Sequence, residues 1–461
     1  MTSPRLANPS LSAEALFAAG LGILLSLAMT LGGSNQQRDG LILVLELFAL
    51  ALFPAVVWRL MTRGTDRSTW SLVGLAGFVL AVPIVQLAPL PVEVWTHLPG
   101  RALAIETLQA ADASIGPRPL RLDPDRTWAS FLWLWPGITL GLGAATIDLP
   151  GRQRLLELVL ALLVLGLALA ALQVTWGARP LQPAAEVHAG LPIGFFANRN
   201  HQAIALVAGL PLTVCLAVFR ARSSAWKRRA EVTLYTALSG LLVIGVVATR
   251  SRAGLVLGGL ALLMSLASFL RFRRRPDRTM GGDLWIVLGG AAVLVLALQI
   301  GAGAVLERFD QLETGEGRFQ SWPVILDLAR EFQPAGSGMG SFEAIFSSVE
   351  PIEMVEPAYL NNAHNDFLEL WLEAGLLFPL GLVLFLAWFA PAAVRAFRDP
   401  GDQAAVARAA AIGLLSLLLH SVVDYPLRTQ ALACLFALFC GLLAPCPAKQ
   451  AAARAITCPG P

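Results

Sequence analysis

Residues 155–175 read LLELVLALLVLGLALAALQVT, with Glu157 as their single charge. A helix rises 1.5 Å per residue, so about 20 apolar residues cross the ~30 Å hydrocarbon layer of a bilayer. This stretch is therefore a membrane span. Eleven further runs read the same way, near 14–33, 40–58, 70–88, 128–148, 201–219, 232–249, 253–270, 283–303, 366–390, 405–424 and 427–445. The run at 128–148 holds Pro136 and several glycines, which membrane helices tolerate. Composition agrees. Of 461 residues, 56% are hydrophobic and only 14% charged, where soluble domains carry about a quarter charged. A soluble enzyme and a disordered chain are both excluded. The expected fold is an all-α integral membrane protein with about 12 transmembrane helices.

The short loops orient the chain. With the N-terminus in the cytoplasm, 21 of the 34 Lys and Arg residues fall in inside segments. The run RFRRRP at 271–276 makes the strongest single vote, because cytoplasmic loops retain positive charge. It reads as a topology anchor, not as a nucleic-acid site. The first apolar run lacks a convincing small-residue cleavage site, so it reads as an uncleaved first helix. Cys215, Cys434 and Cys440 lie in apolar runs, and Cys446 and Cys458 lie near the C-terminus. No pair has metal-site spacing.

Three outside loops are long: 89–127, 176–200 and 304–365. The last is acidic, and FQSWPVILDLAREF at 319–332 repeats apolar residues at three and four. That pattern predicts a small helical subdomain on the outer face. The expected organisation is residues 1–303 as nine spans, 304–365 as the outer loop subdomain, and 366–461 as three spans and a cytoplasmic tail. No internal repeat and no separate soluble domain is evident.

All five histidines, His97, His188, His201, His364 and His420, fall on the outer side. None is spaced from another as a helical metal-ligand pair would be, so no metal site is expected. Polar residues gather in four outer clusters. TRSRAG at 249–254 puts Arg250 and Arg252 at a helix start in an apolar setting. That is costly without an anionic partner, and two readings stand: a snorkelling pair, or a clamp whose planar forks and free helix N–H groups suit a diphosphate. In GRFQSW at 317–322, Arg318 either pairs with Glu313 or Glu316 or joins that clamp. In NNAHNDFLEL at 361–370, Asn365 or Asp366 caps a helix and His364 sits just above it. A histidine near neutrality is a candidate general base, and the amides of Asn361, Asn362 and Asn365 could fix its tautomer. In GFFANRNHQA at 194–203, Asn198, Asn200 and His201 crowd another helix start, either as caps or as contacts to sugar hydroxyls.

These clusters, in this order and together with the stretch from Pro334 through GSGMGSF to Phe342 and NNAHNDFLELWLEAG at 361–375, resemble the O-antigen ligase and polymerase family of Wzy type. The likeness covers roughly residues 190–425, and the N-terminal spans agree in hydropathy alone. The resemblance implies a glycosyltransferase-C-like helical membrane enzyme. Its donor would be a glycan on an undecaprenyl diphosphate carrier, bound among membrane lipids, with no nucleotide sugar, metal or other cofactor and no nucleic acid. By resemblance, Arg252 and Arg318 match the family's two essential arginines and His364 its essential histidine. Arg250, Asn198, Asn200, His201, Asn362 and Asn365 would contact substrate. Arg199 departs from the family pattern. The implied setting is the bacterial inner membrane, with cytoplasmic termini and a periplasmic site. The expected activity is O-antigen ligation onto lipid A–core with inversion. Polymerisation of O-antigen or exopolysaccharide from the same donor is the alternative, and protein O-oligosaccharyl transfer stands further off. An anion transporter would share the hydropathy, but its polar residues should lie at the bilayer midplane, where this chain looks apolar.

Overall fold

In the computed structural model, the described residues are 13–34, 39–63, 65–176, 191–220, 225–273, 317–355 and 360–447. The expected span at 283–303, with His188, Glu313, Glu316 and Cys458, lies outside them. The chain is a multi-pass membrane protein. Among the described residues, eight helices are long and apolar enough to cross a bilayer: α1 (Ala13–Leu31), α2 (Asp39–Thr62), α3 (Arg67–Leu87), α7 (Leu149–Trp176), α8 (Arg199–Arg220), α9 (Ala225–Ala248), α10 (Arg252–Arg273) and α14 (Leu377–Arg398). Helix α6 (Pro124–Thr146) is as long, but its tryptophans, glycines and prolines dilute its hydropathy. Two shorter apolar helices, α15 (Asp402–His420) and α16 (Gln430–Leu443), complete the bundle. Glu46 is a carboxyl buried within a span, a departure from the uniformly apolar interior expected of the spans.

The helices start where local chemistry starts them. Asp66 accepts the Thr69 N–H at 2.9 Å and its hydroxyl at 2.8 Å. Asp123 accepts the Arg126 N–H at 3.0 Å, with Pro124 in the first turn, where its missing N–H costs nothing. In a bilayer, lipid is as apolar as leucine, so close packing holds helices together. Glycines supply the approach between α6 and α16: a Cβ on Gly441 would stand 2.0 Å from the Gly141 carbonyl oxygen. The apolar window of α8 is 83% buried and that of α14 only 11%. Helix α8 is therefore the central pillar, and α14 presents itself to lipid.

The expected single span at 366–390 is two helices, α13 (Asp366–Ala374) and α14. The break is Gly375, at φ +57°, where a Cβ would stand 2.3 Å from the Pro334 carbonyl oxygen. Only glycine enters that conformation without strain. Helix α13 lies outside the spans and packs under α11 (Gly317–Glu331) and α12 (Phe342–Ser347). Ile325, Leu328, Ala329, Phe332, Phe342 and Leu372 form a second small core, distinct from that of the bundle. The 89–123 loop leans on it: Arg101 donates to the Gly336 carbonyl at 3.1 Å, and the Leu122 N–H to Ser337 O at 3.0 Å. That loop holds α4 (Val92–Trp95), α5 (Ala102–Ala110) and a minimal antiparallel ribbon, β1 (Pro89–Leu90) with β2 (Arg118–Pro119), in register Pro89↔Pro119. The ribbon qualifies the all-α expectation.

Candidate active site

Helices α15 and α16 are joined by a tight corner, Ser421–Thr429. Pro426 opens a single 3-10 turn there, because proline fixes φ and has no N–H to continue a helix. The corner holds Asp424, whose side chain is 1% exposed. Its Oδ1 accepts from His364 Nδ1 at 3.2 Å and from the Tyr425 N–H at 3.0 Å. Its Oδ2 accepts from Asn200 Nδ2 at 2.8 Å. His201 Nε2 lies 3.8 Å from Oδ1, and His420 Nε2 lies 3.8 Å from Oδ2. Histidines from the start of α8, the approach to α13 and the end of α15 thus converge on one carboxylate. Burial pushes that carboxyl up. The His364 hydrogen bond and the positive potential of His201, His420 and His364 outweigh burial and hold it well below the usual carboxylate range.

Of the three rings, His364 alone reaches the surface, at 21% exposure against 1% for His201 and 0% for His420. A carboxylate only accepts, so Nδ1 carries the hydrogen, which in the neutral ring leaves the lone pair on Nε2. His364 sits at φ +48°, a left-handed conformation that costs a non-glycine residue on the order of 1–3 kcal/mol. Its neighbours hold it there. The Ala363 N–H donates to Glu369 Oε2 at 2.8 Å, and Trp322 Nε1 donates to the Ala363 carbonyl at 2.9 Å. The Tyr425 ring stands edge-on between His201 and His364, at 4.8 and 4.7 Å. The tautomer is set by Asp424 and not, as the sequence suggested, by the flanking amides. Asn365 instead caps α13, accepting the Phe367 and Leu368 N–H groups at 3.1 Å each. Asn362 is buried, and its Nδ2 finds no hydrogen-bond partner among the described residues.

The other predicted residues divide. Asn198 is a local cap: its Oδ1 accepts the Asn200 N–H at 2.8 Å. Arg252 opens α10, which crosses α8 so closely that a Cβ on Gly254 would stand 2.7 Å from the Ala203 Cβ. That contact, two residues on from His201, brings Arg252 to the same end of the bundle as Asp424. Arg250 is exposed, at φ +54°, on the turn between α9 and α10. Position 318 lies in the first turn of α11 and shares a helix face with Trp322, four residues on. The Arg318 side chain lies outside the described residues. His97 lies on the 89–123 loop, its Nδ1 2.8 Å from the Glu93 carbonyl. Among the described residues, no three His, Cys, Asp or Glu side chains are placed to hold a metal ion.

Residues 237–386 match the family model described as O-antigen ligase. The chain carries an O-antigen ligase family domain. No curated protein matches the chain. Members of this family are membrane enzymes that transfer glycans, and the family implies lipid-linked glycan substrates. The O-antigen ligase domain spans Arg250, Arg252, Arg318, Asn362, His364 and Asn365. It ends before Asp424, the residue that collects the histidines. Sequence reasoning missed Asp424, Tyr425 and Arg428 because the corner looked like the junction of two spans. A signal was present: Asp424 and Arg428 are the only Asp, Glu, Lys or Arg between Arg408 and Lys449. Charges so isolated in apolar sequence are expensive and need a reason.

Proposed function

We propose that this protein is a metal-independent glycosyltransferase of O-antigen ligase type. It takes a glycan from undecaprenyl diphosphate and places it on an acceptor hydroxyl of lipid A–core at the periplasmic face of the inner membrane. The observation that carries the reading is the His364–Asp424 pair, a surface-reaching imidazole whose inner nitrogen is held by a buried carboxylate. That arrangement makes a general base. The acceptor hydroxyl gives its proton to His364 Nε2, and its oxygen bonds to the anomeric carbon. The bond from that carbon to the diphosphate oxygen breaks on the opposite face, so the anomeric centre inverts. Asp424 stabilises the imidazolium that forms, as the carboxylate does in other His–Asp pairs. The proton transfer contributes about 10²–10⁴-fold. The departing diphosphate carries the developing negative charge. Arg252 and Arg318 are assigned to it, since fixed cations aimed at a leaving group act with little reorganisation. Asn200 borders the same region and suits a sugar hydroxyl, whereas His201 and Asn362, both buried, support the site from behind rather than meeting the sugar. Arg250, on the turn before α10, suits the outer phosphate.

The test is transfer by purified protein from an undecaprenyl-diphosphate glycan to lipid A–core, without metal or nucleotide, beside His364→Ala, Arg252→Ala and Arg318→Ala. Core-linked glycan that disappears in the variants supports the reading. Longer carrier-linked chains in place of core-linked glycan would make the protein a polymerase with the same base. Full transfer by all three variants would overturn the mechanism.

A further inference from the structure

Helix α13 carries Asp366, Glu369 and Glu373, spaced three and four apart and so on one face. All three are buried, and they turn toward one cation. Arg428 Nε lies 3.3 Å from Glu369 Oε1 and 4.0 Å from Asp366 Oδ1, and its outer nitrogen lies 2.8 Å from Glu373 Oε2. Two of the remaining carboxylate oxygens grip the segments that carry the base and its partner, while Glu373 Oε1 accepts the Phe342 N–H at 3.2 Å. Glu369 Oε2 holds the N–H of Ala363, the residue before His364. Asp366 Oδ2 accepts the Ser421 hydroxyl at 2.7 Å and the Leu427 N–H at 3.1 Å. Those two residues bracket Asp424 in the corner. The Asp366 N–H also donates to Ser421 O at 3.0 Å and Asp424 O at 3.3 Å.

Three carboxylates facing one guanidinium leave excess negative charge in a dry place. Burial, helped for Glu369 by the neighbouring Glu373 charge, pushes Asp366 up to about 7 and Glu369 up to about 8. A buried cluster of this kind is weak evidence for stability, since apolar side chains of equal volume often do as well. What it supplies is geometry. His364 and Asp424 are 60 residues apart in the chain, and their registry depends on whatever ties α13 to the corner.

We propose that Arg428 is a positioning residue: through Glu369 and Asp366 it sets the separation and angle between the His364 imidazole and the Asp424 carboxylate, and so the basicity of Nε2. The proposal rests on His364 being the base, and its test separates the two. Full-length protein labelled with 15N-histidine in nanodiscs reports the His364 Nδ1–H signal, assigned by its loss in His364→Ala. Transfer from the undecaprenyl-diphosphate glycan to lipid A–core is measured in parallel. Arg428→Gln is expected to shift that signal, to displace the pH–rate profile and to lower kcat about a hundredfold with KM nearly unchanged, as small misplacements of a reacting group do. Arg428→Lys restores part of the loss, since it keeps the charge but not the planar fork. Glu369→Gln leaves Arg428 two acids and gives a smaller shift in the same direction. It decides the matter if Arg428→Gln does not fold. Added to His364→Ala, Arg428→Gln costs no further activity. A folded Glu369→Gln or Arg428→Gln protein with the wild-type His364 signal and wild-type kcat overturns the proposal. Full activity of His364→Ala would instead overturn the assignment of the base, while the histidine signal still reports on Arg428.

Discussion

The two ends of the helical bundle both bury arginines, and they use them in opposite ways. At the end away from the histidines, Arg152 donates to the carbonyls of Ala145 (3.1 Å), Ile147 (3.3 Å), Leu442 (3.1 Å), Ala444 (2.7 Å) and Pro445 (3.3 Å). These are the last residues of α6 and α16 and those just beyond, where helices leave carbonyls unpaired and the dipole favours a cation. Arg408 does the same for Ala396 and Asp399, at 3.1 and 2.7 Å. Arg59 binds Thr146 and Glu14. At the histidine end, Arg428 meets carboxylates, and those carboxylates hold the backbones on either side of a surface-reaching His–Asp pair. An arginine answered by carbonyls at the ends of neighbouring helices is a fastener. An arginine answered by an excess of carboxylates, beside a strained histidine, marks a place where geometry is controlled.

That contrast can be broken by experiment. The largest effect belongs to the histidine end. His364→Ala and Asp424→Asn should each lower transfer about 10²–10⁴-fold, while their unfolding midpoints in detergent stay close to wild type. A large loss of folded protein with full activity in the remainder would make this end a fastener too. Next comes Arg152→Gln. It strands several carbonyls and should cost on the order of 3 kcal/mol, a few charge-assisted bonds at about 1.5–3 kcal/mol each less what the glutamine recovers. Activity per folded molecule should not change. A drop in kcat at unchanged stability would tie the far end to the chemistry.

A third test distinguishes the ends by pH. Burial raises Asp366 to about 7 in the folded protein, from an unfolded value near 4. The folded state therefore holds this proton more tightly. The contribution is fully present below about pH 4, declines as pH rises, and is gone above about pH 7. Asp366→Asn should flatten that decline in detergent-solubilised protein. An unchanged slope would show that Asp366 is ionised throughout. The smallest effect is Glu14→Gln. Glu14 is partly exposed and paired with Arg59 and Arg63. Its loss should cost about 1 kcal/mol or less, read in the same melts, with no change in kcat. A larger cost would mean that solvent screens this end less than the exposure of Glu14 suggests.

Much of the molecule is written in runs and caps. The span at 155–175 and the helix-patterned stretch at 319–332 follow from residue type and spacing, because apolar length and local periodicity act over a few neighbours. Asn365 as the cap of α13 is of the same kind. The break at Gly375 is not: 366–390 is apolar throughout its second half, and the reason for the turn, the Pro334 carbonyl packed against Gly375, comes from 41 residues upstream. Arg152 and Arg59 read as charges counted for orientation. That they also close the ends of other helices depends on which helices lie beside them.

Residue order alone is enough to read a multi-pass helical membrane protein with polar clusters at 194–203, 249–254, 317–322 and 361–370, because each feature is encoded by a continuous stretch. It took the folded chain to bring His364, Asn200 and His201 to Asp424, and Arg428 to three carboxylates of α13. The physical reason is distance along the chain. A carboxylate draws its partners from wherever the fold delivers them, and here they come from the start of α8, the approach to α13 and the corner between α15 and α16.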